Sequence, residues 1–398
     1  MTVAPRARDL GIVIGEGTPG PFNAITDVAG VRVGHTTLVS GEGGLVVGQG
    51  PVRTGVTVIV PHDGDVWAEP LFAGTATLNG NGELTGLEWI RESGLLTGAI
   101  GITNTNDVGK VRDALTSSAS ASHDAGGSYW ALPVAGETYD GQLNDIAGGH
   151  VRAEHVGAAL AAASGGHVPE GNVGGGTGMI CHEFKGGIGT SSRRLPAEQG
   201  GWTIGVLVQA NYGRRGLLRI DGVPVGEEIP VGEVPSPWPT ERRGIAVAGP
   251  STHAGGDGMR PIGSGSIIGI LATDAPLLPH QCNRLARRVP LGIARVGGLG
   301  STSSGDIFLA FATGNRGMPP TEAEAIGGGV IAVRAMVDRG IDPLFEAAVE
   351  ATEEAIVNAL VAAETMTGRD GMTAHRLPHD RLVEVMRRHG RLRGTTTA

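Results

Sequence analysis

The stretch Gly265-Ser266-Ile267-Ile268-Gly269-Ile270-Leu271-Ala272-Thr273-Asp274-Ala275-Pro276-Leu277-Leu278 is where the chain changes character. Residues 266–272 form a short apolar run, rich in isoleucine and sharply bounded, which reads as a fully buried strand. The segment before it, 221–265, is dominated by Gly, Pro, Ser and charge, apart from the apolar run 245–248. So long a segment is a linker or a processed loop. A serine therefore stands at the first position of a core strand, immediately after that loop.

Working outward, residues 279–289 read as a helix carrying Arg284, Arg287 and Arg288, and 306–312 as another apolar strand. Residues 322–338 read as a helix with three glycines near its start. Asp342-Pro343 opens a long helix through Met366, with proline at a favoured first-turn position. Residues 379–388 give a short amphipathic helix. Toward the N-terminus, 203–210 is the clearest strand, and 31–35, 55–60 and 98–102 are shorter ones rich in β-branched or apolar residues. An Ala-rich helix is expected over 151–163, a glycine turn over 174–178 and a strand over 179–184. Residues 1–25 read as an irregular lead-in. Sheets covered by helices follow, in the α/β or α+β class.

Composition narrows the function. Of 398 residues, 40% are hydrophobic and 18% charged, enough for a large core and too little charge for a disordered chain. Glycine, at 69 residues, is far above the usual share of about 7% and lacks a collagen period, which suits many tight strand and loop junctions. The net charge of −9 and the lack of a basic stripe argue against nucleic acid. No signal peptide or run long enough to span a membrane is visible, so the expected location is the cytoplasm, with no membrane partner. Cys181 and Cys282 form no CxxC or zinc pattern, and nothing supports a disulfide between them. His35, His62 and His182 are spaced too irregularly for a metal site. Gly174–Gly178 lacks the Gly-Lys-Ser/Thr of a phosphate loop.

Gly265-Ser266 has two readings. One is an ordinary core serine. In the other, the Ser266 hydroxyl attacks the Gly265 carbonyl, and water cleaves the resulting ester. Glycine suits that carbonyl because it carries no side chain and tolerates a strained peptide. The freed Ser266 amine has a reference pKa of about 7.7–8.0, so it can accept the hydroxyl proton near neutral pH. One residue then supplies both nucleophile and base. Ser264 competes for the role, but Ser266 directly opens the strand.

The motifs Ala24-Ile25-Thr26-Asp27-Val28, Val33-Gly34-His35, Glu137-Thr138-Tyr139-Asp140-Gly141, Asn172-Val173-Gly174-Gly175-Gly176-Thr177-Gly178-Met179, Gly186-Gly187-Ile188-Gly189-Thr190-Ser191-Ser192-Arg193 and Val208-Gln209-Ala210-Asn211-Tyr212-Gly213, followed by the Ser266 stretch, occur in one order. In this the chain resembles the self-processing serine aminopeptidases that include the L-aminopeptidase/D-amidase-esterases and the β-peptidyl aminopeptidases. The resemblance implies a four-layer αββα sandwich. That fold is like the N-terminal-nucleophile hydrolases but differently connected, and is shared with ornithine acetyltransferases. It implies one domain, 1–398, cleaved into 1–265 and 266–398. It implies a homo-oligomer, a tetramer of processed pairs, with no metal and no cofactor.

The resemblance also implies roles. Gly265 and Ser266 flank the autocleavage site, and Ser266 is the nucleophile. Asn211, otherwise a strand-end turn residue, contributes to the oxyanion hole. Ser304 and Asp306 form a Ser-x-acid element that orients or tunes the amine. The third position is glutamate in β-peptidyl enzymes, so the shorter Asp306 leaves its role less fixed. Tyr139 lines the active site, and Trp130 is a pocket wall; the alternative for each is core packing. The expected substrate is a small peptide, amide or ester with a free amino end. An amidase of non-peptide amide oligomers, an acetyltransferase and an uncleaved glycine-rich binding protein are the alternatives.

Overall fold

The computed structural model describes residues 4–123, 129–238, 265–320 and 329–393. Strands β1 (Arg32–Ser40), β2 (Val52–Val60) and β3 (Leu71–Gly80) are followed by α1 (Leu87–Ser93), the two-residue β4 (Leu95–Leu96), β5 (Ile100–Asn104), α2 (Val108–Ser122), β6 (Val134–Thr138) and α3 (Ala153–Ala161). The hairpin of β7 (Ile180–Cys181) and β8 (Phe184–Lys185) leads into β9 (Gly187–Arg194), β10 (Thr203–Asn211) and α4 (Val225–Glu228). The C-terminal part holds β11 (Ser266–Thr273), α5 (Pro279–Ala286), α6 (Val289–Arg295), β12 (Gly305–Ala312), α7 (Asp342–Val361) and α8 (His379–Arg388).

The longer strands form two sheets, one in the order β1-β2-β5-β6 and one in the order β4-β3-β12-β11-β10-β9. Three apolar layers hold them. Val56 and Val58 of the smaller sheet pack on Val111 and Leu115 of α2 and Val156 of α3. The inner faces meet through Ile59, Ile100 and Val134 on one side and Leu207, Ile268, Ile270 and Leu309 on the other. The outer face of the larger sheet, with Val206, Ile267, Leu271 and Phe308, packs on Leu285 of α5, Ile293 of α6 and Ala355 of α7. The result is helix, sheet, sheet, helix, the four-layer αββα arrangement expected from the motifs.

The period-2 alternation of a strand decides what β11 presents to each layer. Ile267 and Leu271 face the helices, whereas Ile268 and Ile270 face the other sheet. Ser266 shares the parity of Ile268 and so opens toward the space between the sheets. All three isoleucines are fully buried, each contributing about 1.5–3 kcal/mol. The strand end carrying Ser266 is thus anchored in the core.

Several local expectations need correction. Residues 179–184 are not one strand: the chain reverses at His182 and Glu183, both with left-handed φ of 50° and 63°, making the β7–β8 hairpin. The 279–289 helix is two helices, because Pro290 brings no N–H and starts α6 afresh. The long helix ends at Val361, and Met366 lies in a short β-bridge pair with Ala374. Of the 322–338 helix, residues 322–328 lie outside the described residues, and 329–337 are not helical. Ser264 and most of the 221–265 segment also lie outside them. Cys181 and Cys282 are buried free thiols. The lead-in is tied down by charge: Arg6 pairs with Glu170 and Arg8 with Glu354.

Candidate active site

Ser266 is the first residue of β11 and sits between two neighbours. In the antiparallel ladder its register partner is Asn211, the last residue of β10. In the parallel ladder it is Gly305, the first residue of β12. The Gly305 N–H donates to Ser266 Oγ at 3.1 Å, which fixes the hydroxyl beside the strand end. Gly305 must be glycine for a packing reason: a Cβ there would lie 2.6 Å from both the Asn81 carbonyl oxygen and Gly82 Cα. The turn at the end of β3 therefore closes directly over the start of β12.

Gly265 is held more tightly still. A Cβ on it would fall 1.9 Å from the Asn211 carbonyl oxygen and 2.8 Å from Tyr212 Cα. No L side chain can occupy that position without moving the β10 backbone. The scissile candidate Gly265–Ser266 is thus clamped against the end of β10.

The Asn211 side chain has a fixed orientation. Its Oδ1 accepts from the Ile180 N–H at 2.8 Å, and its Nδ2 donates to the Tyr139 carbonyl at 2.9 Å. One partner can only donate and the other only accept, so the amide cannot be flipped. The donor end is therefore the end turned toward Tyr139.

Beyond Gly305 the Ser304 hydroxyl donates to Asp306 Oδ1 at 2.6 Å, and Asn79 Nδ2 donates to Oδ2 at 3.0 Å. Burial pushes the Asp306 carboxyl up from its ordinary range, while Ser304, Asn79 and the Ile267 N–H pull it back. Asp306 pairs in register with Ile267, so its carboxylate stands one residue beyond Ser266 on the helix side of the sheet.

Two water-sized cavities, each about 20 Å³, flank this strand end. One is lined by Tyr139, Gln142, Ile180, Asn211, Trp238 and Gly265. The other is lined by Leu217, Ile293, Leu299, Ser304 and Asp306. Tyr212 and Gly213 form the wall common to both. With Gly265 in place there is room for little more than a water molecule on either side.

The structure thus brings Ser266, Gly265, Asn211, Ser304, Asp306 and Tyr139 together at one end of the larger sheet. It places Trp130 elsewhere, on the approach to β6, with its ring edge-on to Trp89 at 6.0 Å; Trp130 lines neither cavity. A cavity of about 400 Å³ with Trp67, His123 and Tyr129 in its wall lies toward that same far end of β6. The Gly174–Gly176 turn is buried, and the Gly174 and Gly175 N–H groups are taken up by the hydroxyls of Thr37 and Thr57.

Sequence reading missed several participants. Asn79 and Asn81 hold the 301–304 turn, with Asn81 Nδ2 donating to the Ser303 carbonyl at 2.7 Å. Their Asn-Gly-Asn-Gly spacing was a turn signal in plain view. Trp238 is buried in the cavity wall but stands alone in a Pro-rich stretch. Glu137, at the head of the Glu137–Gly141 motif, carries no local signal of a site. It is a buried carboxylate that accepts from the Glu83 N–H at 3.0 Å and from the Thr105 hydroxyl. A Cβ on Gly82 would meet both its Oε1, at 3.1 Å, and Gly305 Cα, at 2.9 Å, so Glu137 lies next to the turn that closes on Gly305.

Known proteins bear on this arrangement. Residues 23–374 match the profile of peptidase family S58. The chain is 49% identical to the β-peptidyl aminopeptidase BapA of Sphingosinicella microcystinivorans, over 98% of this chain and 93% of that protein. It superposes on a Burkholderia β-aminopeptidase with a TM-score of 0.85 at 54% identity, covering 97% of this chain and 99% of that one. The L-aminopeptidase D-Ala-esterase/amidase of Ochrobactrum anthropi, described as a variant of the Ntn hydrolase fold, gives 0.84 at 41% identity, covering 98% and 100%.

Proposed function

The chain belongs to peptidase family S58 and is a hydrolase of the aminopeptidase type, and on that premise we propose that Ser266 both matures the protein and carries its catalysis. In maturation the Ser266 Oγ attacks the Gly265 carbonyl carbon. The Oγ–C bond forms and the Gly265–Ser266 C–N bond breaks, which frees the amine and leaves an ester. Water cleaves the ester to a Gly265 carboxylate and regenerates the hydroxyl. The products are 1–265 and 266–398, which stay joined through the β10–β11 and β3–β12 ladders.

In turnover the neutral Ser266 amine takes the proton of its own hydroxyl as Oγ attacks the first carbonyl of a substrate. The proton passes to the leaving amine, and water then hydrolyses the acyl-enzyme. Asn211 Nδ2 is the side-chain donor for the oxyanion, a contribution worth about 10²–10³ in rate at such sites. Asp306, held by Ser304 and Asn79, stabilises the ammonium form of the Ser266 amine and so sets its pKa. Glu137 is the carboxylate placed to receive the free amino group of the substrate. Tyr139 contributes a wall and the carbonyl that orients Asn211.

The observation that carries this reading is the seat of Gly265. The first acyl group ever to occupy Ser266 is glycyl, with a bare CH₂ beside its carbonyl, and the Asn211 oxygen blocks an L side chain there. A β-amino acyl group also presents a CH₂ beside its carbonyl. We therefore favour β-amino acids over L-α-amino acids at the amino end of short peptides or amides. The similarity to β-peptidyl and β-aminopeptidases supports the same preference. The proposal extends to a homo-oligomer, a tetramer of processed pairs, working in the cytoplasm. The exposed apolar run Val330, Ile331, Val333 and Val337 supports a further subunit contact. Among the described residues no helix is long and apolar enough to cross a membrane.

Intact mass of the purified protein beside Ser266→Ala tests the core of the proposal. Two chains splitting after Gly265 in the wild type and one whole chain in the variant support it. A folded wild type that stays whole defeats it and favours a binding role. Hydrolysis of β-alanyl against L-alanyl and non-peptide anilides then ranks the substrate classes.

A further inference from the structure

Lys185 is a fully buried lysine, and its place is unusual. It sits in β8, opposite Ile180 in the β7–β8 hairpin. Its Nζ donates to three backbone carbonyls: Gly176 at 3.2 Å, Met179 at 2.9 Å and Gly186 at 2.7 Å. Among the described residues no carboxylate pairs with it. All three ammonium protons are used, and the charge is left uncompensated. Burial pushes the lysine down to about 7, as expected for an ammonium with no anionic partner.

Such a group is costly. Burying a charge without a counter-ion is among the least favourable choices in a core. An apolar residue of the same length could fill the space, and water could serve the carbonyls. What Lys185 holds explains its presence better. The Met179 carbonyl belongs to the peptide whose N–H is that of Ile180, and this N–H donates to Asn211 Oδ1. The Gly186 N–H donates to the same Met179 carbonyl at 2.9 Å, so the ammonium and the hairpin grip one peptide plane from two sides. A Cβ on Gly186 would lie 2.5 Å from the Ala210 oxygen, which puts this cluster against the last turn of chain before Asn211.

We propose that Lys185 is a positioning residue of the reaction: its buried ammonium locks the Met179–Ile180 peptide, which turns the donor end of Asn211 toward the reacting carbonyl, and its unpaired charge lies behind that donor. The inference rests on the reading of Ser266 and Asn211 given above. Its charge acts in two ways. It holds the Asn211 amide in one orientation before substrate arrives, so no reorganisation is needed in the transition state. It also makes the surroundings of a developing oxyanion more positive while leaving the substrate contacts untouched. Both effects belong to the transition state and are therefore read in kcat rather than KM.

The test uses the processed enzyme and two neutral variants, Lys185→Met and Lys185→Gln, taking whichever keeps the near-ultraviolet circular dichroism of the wild type. Wild-type hydrolysis of a β-alanyl anilide is the control; if the wild type is inactive or uncleaved, it is the functional reading that has failed. We expect kcat to fall about 10- to 100-fold with KM changed less than about threefold, and precursor cleavage to slow in parallel. Lys185→Arg, which keeps the charge and N–H donors, should recover part of kcat. The same neutral substitution made in an Asn211→Ala background should cost less than about threefold, because the group it acts through is gone. An unchanged kcat in a folded neutral variant overturns the proposal. So does a full multiplicative loss in the Asn211→Ala background, which would mark Lys185 as a bolt of the fold alone. If neither neutral variant folds, Lys185→Arg decides on the rate of precursor cleavage: a wild-type Asn211 dependence with cleavage at or near the wild-type rate supports the proposal, and cleavage lost in a folded protein opposes it.

Discussion

Asn211 and Ser266 are register partners across the β10–β11 ladder, and the residue before Ser266 has its would-be side-chain position 1.9 Å from the Asn211 carbonyl oxygen. Sheet pairing alone therefore sets the proposed nucleophile, the proposed oxyanion donor and the peptide to be cut side by side. No loop has to close to assemble them. Ladder hydrogen bonds on both sides of β11 hold the same geometry before and after a cut at Gly265, because the cut falls at the strand end.

Gly265→Ala should slow self-cleavage by about 100-fold or more. The added methyl can enter only by moving the end of β10, and a shift of that kind also misplaces Asn211. Time-resolved intact mass on freshly expressed protein reads the rate. Cleavage at the wild-type rate would show that the Gly265 seat imposes no constraint.

Asp306→Asn should lower the pH at which the acid limb of kcat appears. The carboxylate favours the charged form of the neighbouring Ser266 amine, so its removal lowers the amine pKa, and the neutral amine persists to lower pH. The maximum kcat should fall as well, since Ser304 and Asn79 lose the anion they hold in place. A pH–rate profile of the variant against the wild type checks both, and an acid limb that stays put would separate Asp306 from the amine.

Glu137→Gln should raise KM for substrates with a free amino end by about tenfold, while an N-acylated ester, lacking the ammonium, should be affected little. The isosteric change keeps an acceptor for the Glu83 N–H, and the Thr105 hydroxyl, which now donates, can turn to accept from the new amide N–H. Equal losses on both substrates would assign Glu137 to packing.

Asp140→Asn should stabilise the protein at pH 8 and do nothing at pH 4. Asp140 is wholly buried next to Tyr139, and burial pushes its carboxyl up to about 7 against an unfolded value of about 3.9. Between those pH values the folded chain holds a proton that the unfolded chain has released. The stability contributed by that proton is complete below about pH 3.9 and is lost as pH rises to about 7. Asparagine mimics the neutral form and removes the loss. Melting temperatures across pH 4–8 should show the variant ahead by on the order of 2 °C at pH 8, and parallel curves would place the titration elsewhere.

The sequence by itself determined a good deal here. The abrupt passage from a polar Gly/Pro-rich segment to the run opened by Ser266 marked both the strand and the bond of interest, because 267–272 is apolar and sharply bounded whereas the segment before it holds only the short apolar run 245–248. The ordered motifs led to the four-layer arrangement that the three apolar layers display. Local pattern was least informative where polarity and glycine masked the pairing. β9, with Thr190, Ser191, Ser192 and Arg193, is almost wholly buried yet has no apolar signature. Its polar groups are satisfied in large part by distant partners, such as Asn23 on Ser191 and Glu354 on Arg193. Tertiary structure alone decided the rest: that Asn79 holds Asp306 across two strands, that Trp238 lines the cavity, that Trp130 meets Trp89 edge-on away from Ser266, and that three carbonyls hold the Lys185 ammonium. Strand order, register and the β7–β8 hairpin create these contacts, and those such as Asn79 with Asp306 join residues far apart in the chain, beyond the reach of any local periodicity.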